Sequence, residues 1–152
     1  MRSPVGPWAI EGNDEGVTRV YMPHERTGPN TPRASRVVKD AQRQLEEYFA
    51  KTRRAFDLAL ITEKATSFQR ECWAVLADIP YGAVATYAQV ARSVGRPFAA
   101  RAVGNANHAN PWPIFIPCHR VVASNGLGGY GGGIAVKEFL LELEVYLVAP
   151  QA

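Results

Sequence analysis

Cys118 stands in the run Ile116-Pro117-Cys118-His119-Arg120-Val121-Val122, between a stretch that reads as a buried strand and a glycine-rich loop. A cysteine so placed is a candidate nucleophile, and the reactive species is the thiolate. At an unperturbed pKa of about 8.5 only a few per cent of a thiol is ionised near neutrality, so a base or positive surroundings must raise that fraction. His119 and Arg120 are adjacent in sequence. If the segment is extended, consecutive side chains point to opposite faces. A water bridging Cys118 and His119 then suits the geometry better than direct contact. Glu144, accepting from the far imidazole nitrogen, would fix the tautomer of His119 and raise its basicity. The competing reading makes His119 and Arg120 structural and Cys118 a core residue; spacing alone leaves both open. Cys72 reads as core: with Phe68, Val75 and Leu76 it falls on the apolar face of a helix. Two cysteines make no disulfide scaffold, and their spacing suits no metal site.

The elements that would hold Cys118 follow from the flanking sequence. Asn110-Pro111-Trp112-Pro113 reads as a stiff turn and Ile114-Phe115-Ile116 as a strand delivering the cysteine. Downstream, Gly126 to Gly133 holds six glycines around Leu127 and Tyr130, a loop that permits close ligand approach. A last helix from about Ala135 turns Val136, Phe139, Leu140 and Leu143 inward and carries Glu144 at the edge of that face. Upstream, Thr66 or Ser67 caps a helix running to about Asp78, broken by Pro80-Tyr81-Gly82. A short helix from Thr86 stops at Gly95, and another runs from Phe98 to about Asn107. The pair fits a helix-turn-helix. The second helix, Ala99-Ala100-Arg101-Ala102-Val103-Gly104-Asn105-Ala106-Asn107, is nearly all small residues around one long cation. It suits either a narrow DNA groove, with Arg101 reaching into the stack, or tight packing in the core. Nearer the N-terminus, Trp8-Ala9-Ile10 and Val17 to Tyr21 read as strands, residues 23–36 as loop, Val37 to Phe49 as an amphipathic helix and Phe56 to Ile61 as a strand.

The chain has 152 residues, 47% hydrophobic and 20% charged, enough for one compact domain or two small subdomains. No stretch approaches the roughly 20 apolar residues of a membrane span, and the N-terminus lacks a signal-like apolar run, so a cytoplasmic protein with no membrane partner is expected. Net charge is +3, and its distribution is more telling. The 59 residues from Ile79 to Lys137 contain no Asp or Glu, while holding Arg92, Arg96, Arg101, Arg120 and Lys137. Such a region offers a positive surface to a polyanion, although five cations over that length is also ordinary density.

The motif around Cys118 closely resembles the active-site motif of the O6-alkylguanine-DNA alkyltransferases, the methylated-DNA–protein-cysteine methyltransferases. The likeness continues through Phe68-Gln69, Trp73, Ile79-Pro80-Tyr81-Gly82, Thr86-Tyr87, Ala100-Arg101-Ala102-Val103-Gly104 and Asn110-Pro111. Downstream it takes in Gly129-Tyr130-Gly131-Gly132-Gly133, Lys137 and Leu140-Leu141, and at the N-terminus Ser3-Pro4-Val5-Gly6-Pro7. The resemblance implies an α+β fold: a small N-terminal α/β subdomain over 1–64, then a mainly helical subdomain over 65–152 with a helix-turn-helix and an active-site cysteine loop. It implies repair by direct reversal in one turnover: the alkyl group of O6-alkylguanine, and of O4-alkylthymine, passes irreversibly from a flipped-out base to the protein's cysteine. By resemblance Cys118 is the acceptor, His119 the water-linked base, Glu144 the carboxylate behind it, and Asn110 the brace of the active-site turn. Tyr87 rotates the nucleotide and donates toward the guanine ring, and Arg101 fills the gap the base leaves. Ala100, Ala102 and Gly104 lie on a helix that enters the minor groove of double-stranded DNA. Backbone groups near Val121 and Gly131 read the base, and Pro113 and Tyr130 wall its pocket. The family pattern implies a monomer and no cofactor.

Departures from the pattern matter too. The metal-ligand set of some eukaryotic members is missing, so no zinc is implied, and there is no cysteine-rich regulatory module. Trp112 is bulkier than the residue expected beside Pro113, which bears on large adducts. Three alternatives remain: a non-catalytic damage binder, whose relatives replace the acceptor cysteine; a cysteine hydrolase, which would turn over; and an architectural DNA binder, indifferent to Cys118→Ala.

Overall fold

The computed structural model describes residues 1–25, 35–130 and 133–148. The chain divides into two compact units, Met1–Glu63 and Lys64–Ala152. The first begins with a short hairpin of β1 (Arg2–Ser3) and β2 (Gly6–Pro7), followed by the antiparallel pair β3 (Ala9–Gly12) and β4 (Val17–Tyr21). Trp8, Ile10, Val17 and Val20 are buried. The helix α1 (Arg36–Phe49) is capped by the Ser35 hydroxyl, which accepts from the Val38 N–H, and buries Val38, Ala41, Leu45 and Tyr48. Most of the loop expected over 23–36 lies outside the described residues.

The expected strand over Phe56 to Ile61 does not form. Among the described residues Val17 bridges to it, through Val17 N–H to Ala59 O (2.8 Å) and Ile61 N–H to Val17 O (3.0 Å). The backbone of Asp57 bonds elsewhere. The buried Gln44 amide accepts from the Asp57 N–H at 3.0 Å and donates to its carbonyl at 3.1 Å, taking the groups a neighbouring strand would need.

In the second unit α2 (Ser67–Ala77) and α3 (Tyr87–Ser93) each open with a capping box, Thr66 with Gln69 and Thr86 with Gln89; each cap contributes about 1 kcal/mol. Gly95 ends α3 at φ +76°, where Gly95 N–H reaches Arg92 O and Arg96 N–H reaches Ala91 O. This Schellman arrangement needs a left-handed residue at that point. After it comes α4 (Ala100–His108), two residues later than the sequence suggests. Trp73 on α2 donates its indole N–H to Ala106 O on α4 at 2.9 Å. β5 (Ala85–Thr86) pairs in parallel with β6 (Val121–Val122), and α5 (Ile134–Val148) completes the unit. The whole is α+β, with small sheets in the first unit and a mainly helical second unit holding the helix-turn-helix.

Two expectations around the cysteine need correction. Ile114 to Ile116 is a tight turn: Ile114 sits at φ +74°, and Ile116 N–H closes on Trp112 O at 2.8 Å. Cys118–Arg120 is a single 3-10 turn. Pro117 directs the chain into it, and Arg120 N–H bonds to Pro117 O at 3.0 Å. Apolar, β-branched sequence resembles a strand, but here the backbone groups are met by local turn bonds and by side chains.

Candidate active site

The turn that presents Cys118 is held by two asparagines. Asn110 Nδ2 donates to Ile116 O at 2.8 Å, and its Oδ1 accepts from Trp112 N–H at 3.0 Å. These bonds help keep Ile114 in a conformation that costs a branched residue about 1–3 kcal/mol. Asn107, on α4, donates to the Cys118 carbonyl at 3.2 Å. Cys118 is 4% exposed, with Sγ 3.8 Å from the Tyr130 hydroxyl. Burial pushes the thiol's pKa up; hydrogen bonding with Asn110 and Tyr130, its own N–H and the charge of Lys137 oppose that without overcoming it. The resting group is therefore the thiol, and its proton must go somewhere during reaction.

His119, Glu144 and Arg120 form a buried cluster beside it. His119 Nε2 lies 2.6 Å from Glu144 Oε2. Arg120 grips the same carboxylate twice, Nε to Oε1 at 2.8 Å and Nη2 to Oε2 at 3.0 Å, while its Nη1 donates to Ile79 O at 2.7 Å. Gly82 N–H adds a fourth donor, at 3.3 Å from Oε1. Burial raises the pKa of Glu144, but the hydrogen bonds and charges of its partners win and hold it at about 2. Burial pushes the pKa of His119 down, with Glu144 opposing and Arg120 and Lys137 adding to the fall. The imidazole is thus neutral and donates Nε2–H to an ionised carboxylate. That leaves Nδ1 with its lone pair, buried and meeting no donor among the described residues. Burial opposes protonation of this imidazole, and the Glu144 carboxylate is what offsets that cost when Nδ1 takes up a proton. In the 3-10 turn successive side chains diverge by about 120°, so Cys118 and His119 are not on opposite faces as an extended segment would put them.

Lys137 was legible only as part of a motif. It is fully buried, and its Nζ donates to Val121 O at 2.7 Å, Leu127 O at 2.6 Å and Gly129 O at 3.2 Å. All three ammonium protons are used, so Lys137 pins the glycine loop to α5 and holds its charge near the thiol. The available signal was its spacing: Lys137, Leu140 and Glu144 recur at three and four on one buried helical face. Arg120 and Lys137 are both interior, which corrects their assignment to a positive surface; the exposed cations of the acid-free stretch are Arg92, Arg96 and Arg101.

The remaining expected residues fall into two groups. Tyr87, half-buried at the start of α3, donates to Gly129 O at 3.4 Å. Its ring packs where a side chain on Gly128 would sit, 3.0 Å from that Cβ position, and Gly128 is also at φ +75°. Burial, with Cys118 nearby, raises its pKa, so its hydroxyl keeps its proton. Val121 and Pro113 are buried and Tyr130 is half-buried. On α4, Ala100 and Gly104 are half-buried while Arg101 and Ala102 are exposed, so Arg101 stands away from the thiol cluster's interior. Gly131 lies outside the described residues. Trp112 spends its bulk in the core, edge-on to Trp73 at 5.4 Å.

Chains of known identity place this arrangement. Residues 67–146 match the family description "6-O-methylguanine DNA methyltransferase, DNA binding domain". The chain is 43% identical to a methylated-DNA–protein-cysteine methyltransferase of Methanosarcina acetivorans, covering 95% of each. It is 41% identical to a constitutive one of Bacillus subtilis, over 93% of this chain and 91% of that one. Its fold is similar to the crystal structure of Mycobacterium tuberculosis O6-methylguanine methyltransferase, with a TM-score of 0.86 and 41% identity over 100% of this chain and 93% of that one. The structure of Mycobacterium tuberculosis OGT in complex with DNA is equally near: TM-score 0.87, 40% identity, 96% and 91% covered. Fold, sequence and the presence of Cys118 agree, and the chain belongs to the methylated-DNA–protein-cysteine methyltransferase family.

Proposed function

We propose that the chain repairs alkylated DNA by moving the alkyl group of O6-alkylguanine, or of O4-alkylthymine, onto Cys118, once per molecule. The observation that carries this reading is the pairing of a protonated thiol with a neutral, carboxylate-anchored imidazole in the next residue. Sγ attacks the alkyl carbon; the S–C bond forms as the C–O6 bond breaks, and the electron pair goes to the guanine ring. The thiol proton passes through a water to His119 Nδ1, while Glu144 steadies the resulting imidazolium. The departing guanine takes a proton from the Tyr87 hydroxyl, which burial keeps protonated at rest, and the His119 imidazolium returns its proton through water to the tyrosinate; His119 and Tyr87 end as they began, and the sum moves one proton from thiol to base. A thioether is a very stable bond, so the reaction ends there.

In this reading α4 enters the minor groove of double-stranded DNA. Its small residues permit close approach, and Arg101, exposed at its start, fills the space of the flipped nucleotide, offsetting a flipping cost of a few kcal/mol. Asn110 holds the thiol's turn, Pro113 and Tyr130 wall the pocket, and backbone groups at Val121 and Gly131 read the base. The catalytic groups come from one chain, which suits a monomer. Two free buried cysteines suit the reducing cytoplasm, and no helix among the described residues is long and apolar enough to cross a membrane.

The test follows the DNA. Duplex carrying O6-methylguanine in excess should lose lesions equal in number to the protein molecules added, and then no more. Cys118→Ser should bind the duplex and remove none. Continued loss beyond equivalence would indicate a hydrolase and overturn the proposal.

A further inference from the structure

On α4 the exposed positions Arg101, Ala102, Asn105 and His108 fall at helical spacing and form one stripe, and Phe98 is exposed in the turn just before it. Phe98 is the exception to its chemistry. Its relative exposure is 101%, so the ring rests on nothing in the fold. Nor is it at the end of a loose loop. Arg96-Pro97-Phe98-Ala99 is a closed turn, with Ala99 N–H on Arg96 O at 2.9 Å. The Schellman end of α3 fixes the backbone before it, and Val103 N–H on Ala99 O fixes the backbone after it. Arg96 turns its guanidinium back over the Phe68 ring, 5.3 Å from the centroid, leaving Phe98 to point outward alone. A rigid turn that holds a bare phenyl ring in water is prepared for a contact made elsewhere.

The surface around it says which contact. The stretch 79–137 carries no Asp or Glu, and Arg92, Arg96 and Arg101 are exposed within it. An apolar ring set among cations and small residues fits the minor groove of a duplex, where apolar side chains wedge against and between base steps while cations meet the phosphates. Resting on the reading of α4 given above, we propose that Phe98 is a second element of the DNA interface: an apolar wedge that enters the minor groove from the turn just before the helix that carries Arg101. Arg101 fills the flipped nucleotide's place; Phe98 props the groove beside it. Burial of a phenyl ring is worth roughly ten- to a hundredfold in affinity, and the share Phe98 provides carries no charge.

That absence of charge makes the wedge separable by experiment. Phe98→Ala, Phe98→Leu and Arg101→Ala are compared with the unaltered chain for affinity to lesion-bearing duplex across a salt series. Transfer from duplex and from free O6-benzylguanine base is measured alongside. Phe98→Ala should weaken duplex binding about tenfold at every salt concentration, leaving the slope of log K against log salt unchanged, because no phosphate contact is lost. Phe98→Leu should recover most of that loss. Transfer from the free base should be the same in all three Phe98 proteins. An unchanged duplex affinity for Phe98→Ala would overturn the proposal. So would a flattened salt slope, which would assign a charge-linked role. Equal losses with duplex and free base would also overturn it, since Phe98 would then act through the fold. If Phe98→Ala alters sedimentation but not DNA binding, the ring belongs to a contact between copies and the wedge is wrong. Failure of the unaltered chain to take up benzyl at all would instead remove the functional reading on which the wedge rests.

Discussion

Replacing Arg120 with Met removes a guanidinium that makes two bonds to Glu144 and one to Ile79 O, and substitutes a side chain of similar length in a site only 5% exposed. Glu144 keeps His119 and the Gly82 N–H but loses the full positive charge of the guanidinium. Stranding one member of a buried ion pair costs about 3–5 kcal/mol. The linked titration sets an upper bound on the pH-dependent part, because His119 lowers the Glu144 pKa more than Arg120 does. Glu144 ionises at about 2 in the folded protein against an ordinary 4.5. A depressed carboxylate pKa contributes stability that is present above the ordinary value and lost as pH falls through the folded one. The difference is worth about 3 kcal/mol. Without Arg120 one of the two groups that hold the carboxyl down is gone and its pKa rises, so the variant's deficit should be largest near pH 7 and shrink as pH falls toward the folded pKa. Urea unfolding from pH 7 downward reads this directly. Because Arg120 is interior, the salt dependence of DNA binding should not change. A deficit under about 1 kcal/mol at pH 7, or one independent of pH, would refute the reasoning. A salt slope lower by about one would place Arg120 on a phosphate instead.

Further expectations concern the same cluster. His119→Ala should slow single-turnover transfer by about 10²–10⁴-fold with duplex affinity unchanged. Adding Glu144→Gln should cost little more than the worse single change; losses that multiply would separate the two residues. Lys137→Met should strand the carbonyls of Val121, Leu127 and Gly129, destabilising the protein by about 3 kcal/mol, and should raise the thiol's pKa further, seen as slower alkylation by iodoacetamide. The folded Cys118 pKa lies above the ordinary thiol value, so its contribution is full below that ordinary value and is lost as pH rises through the folded one. Cys118→Ser should therefore flatten the alkaline limb of the stability curve; an unchanged limb would contradict the buried, protonated thiol.

The sequence made the helices legible and the turns illegible, for physical reasons. Capping residues sit next to the helices they start: Ser35, Thr66 and Thr86 each bond within three residues. The turn carrying Cys118 depends on Asn110 and Asn107, with Asn107 eleven residues away from the carbonyl it holds, and Ile114-Phe115-Ile116 viewed alone has a strand's composition. Phe56 to Ile61 misleads in the same way, because Gln44 on α1 takes the backbone groups of Asp57. Within the site, the nucleophile and its histidine were readable as neighbours and Glu144 by its place on a helical face. Arg120 and Lys137 read as surface charge because a sequence shows that a residue is cationic without showing that a buried carboxylate or a ring of carbonyls awaits it.

Mass spectrometry of the intact chain after exposure to O6-methylguanine duplex, followed by peptide mapping, tests the acceptor most directly. The expected result is one added methyl per molecule, carried entirely by the peptide holding Cys118 and never by that of Cys72. An unmodified chain alongside repaired DNA, or a methyl on any other residue, would contradict the assignment of Cys118 as the group that takes the alkyl.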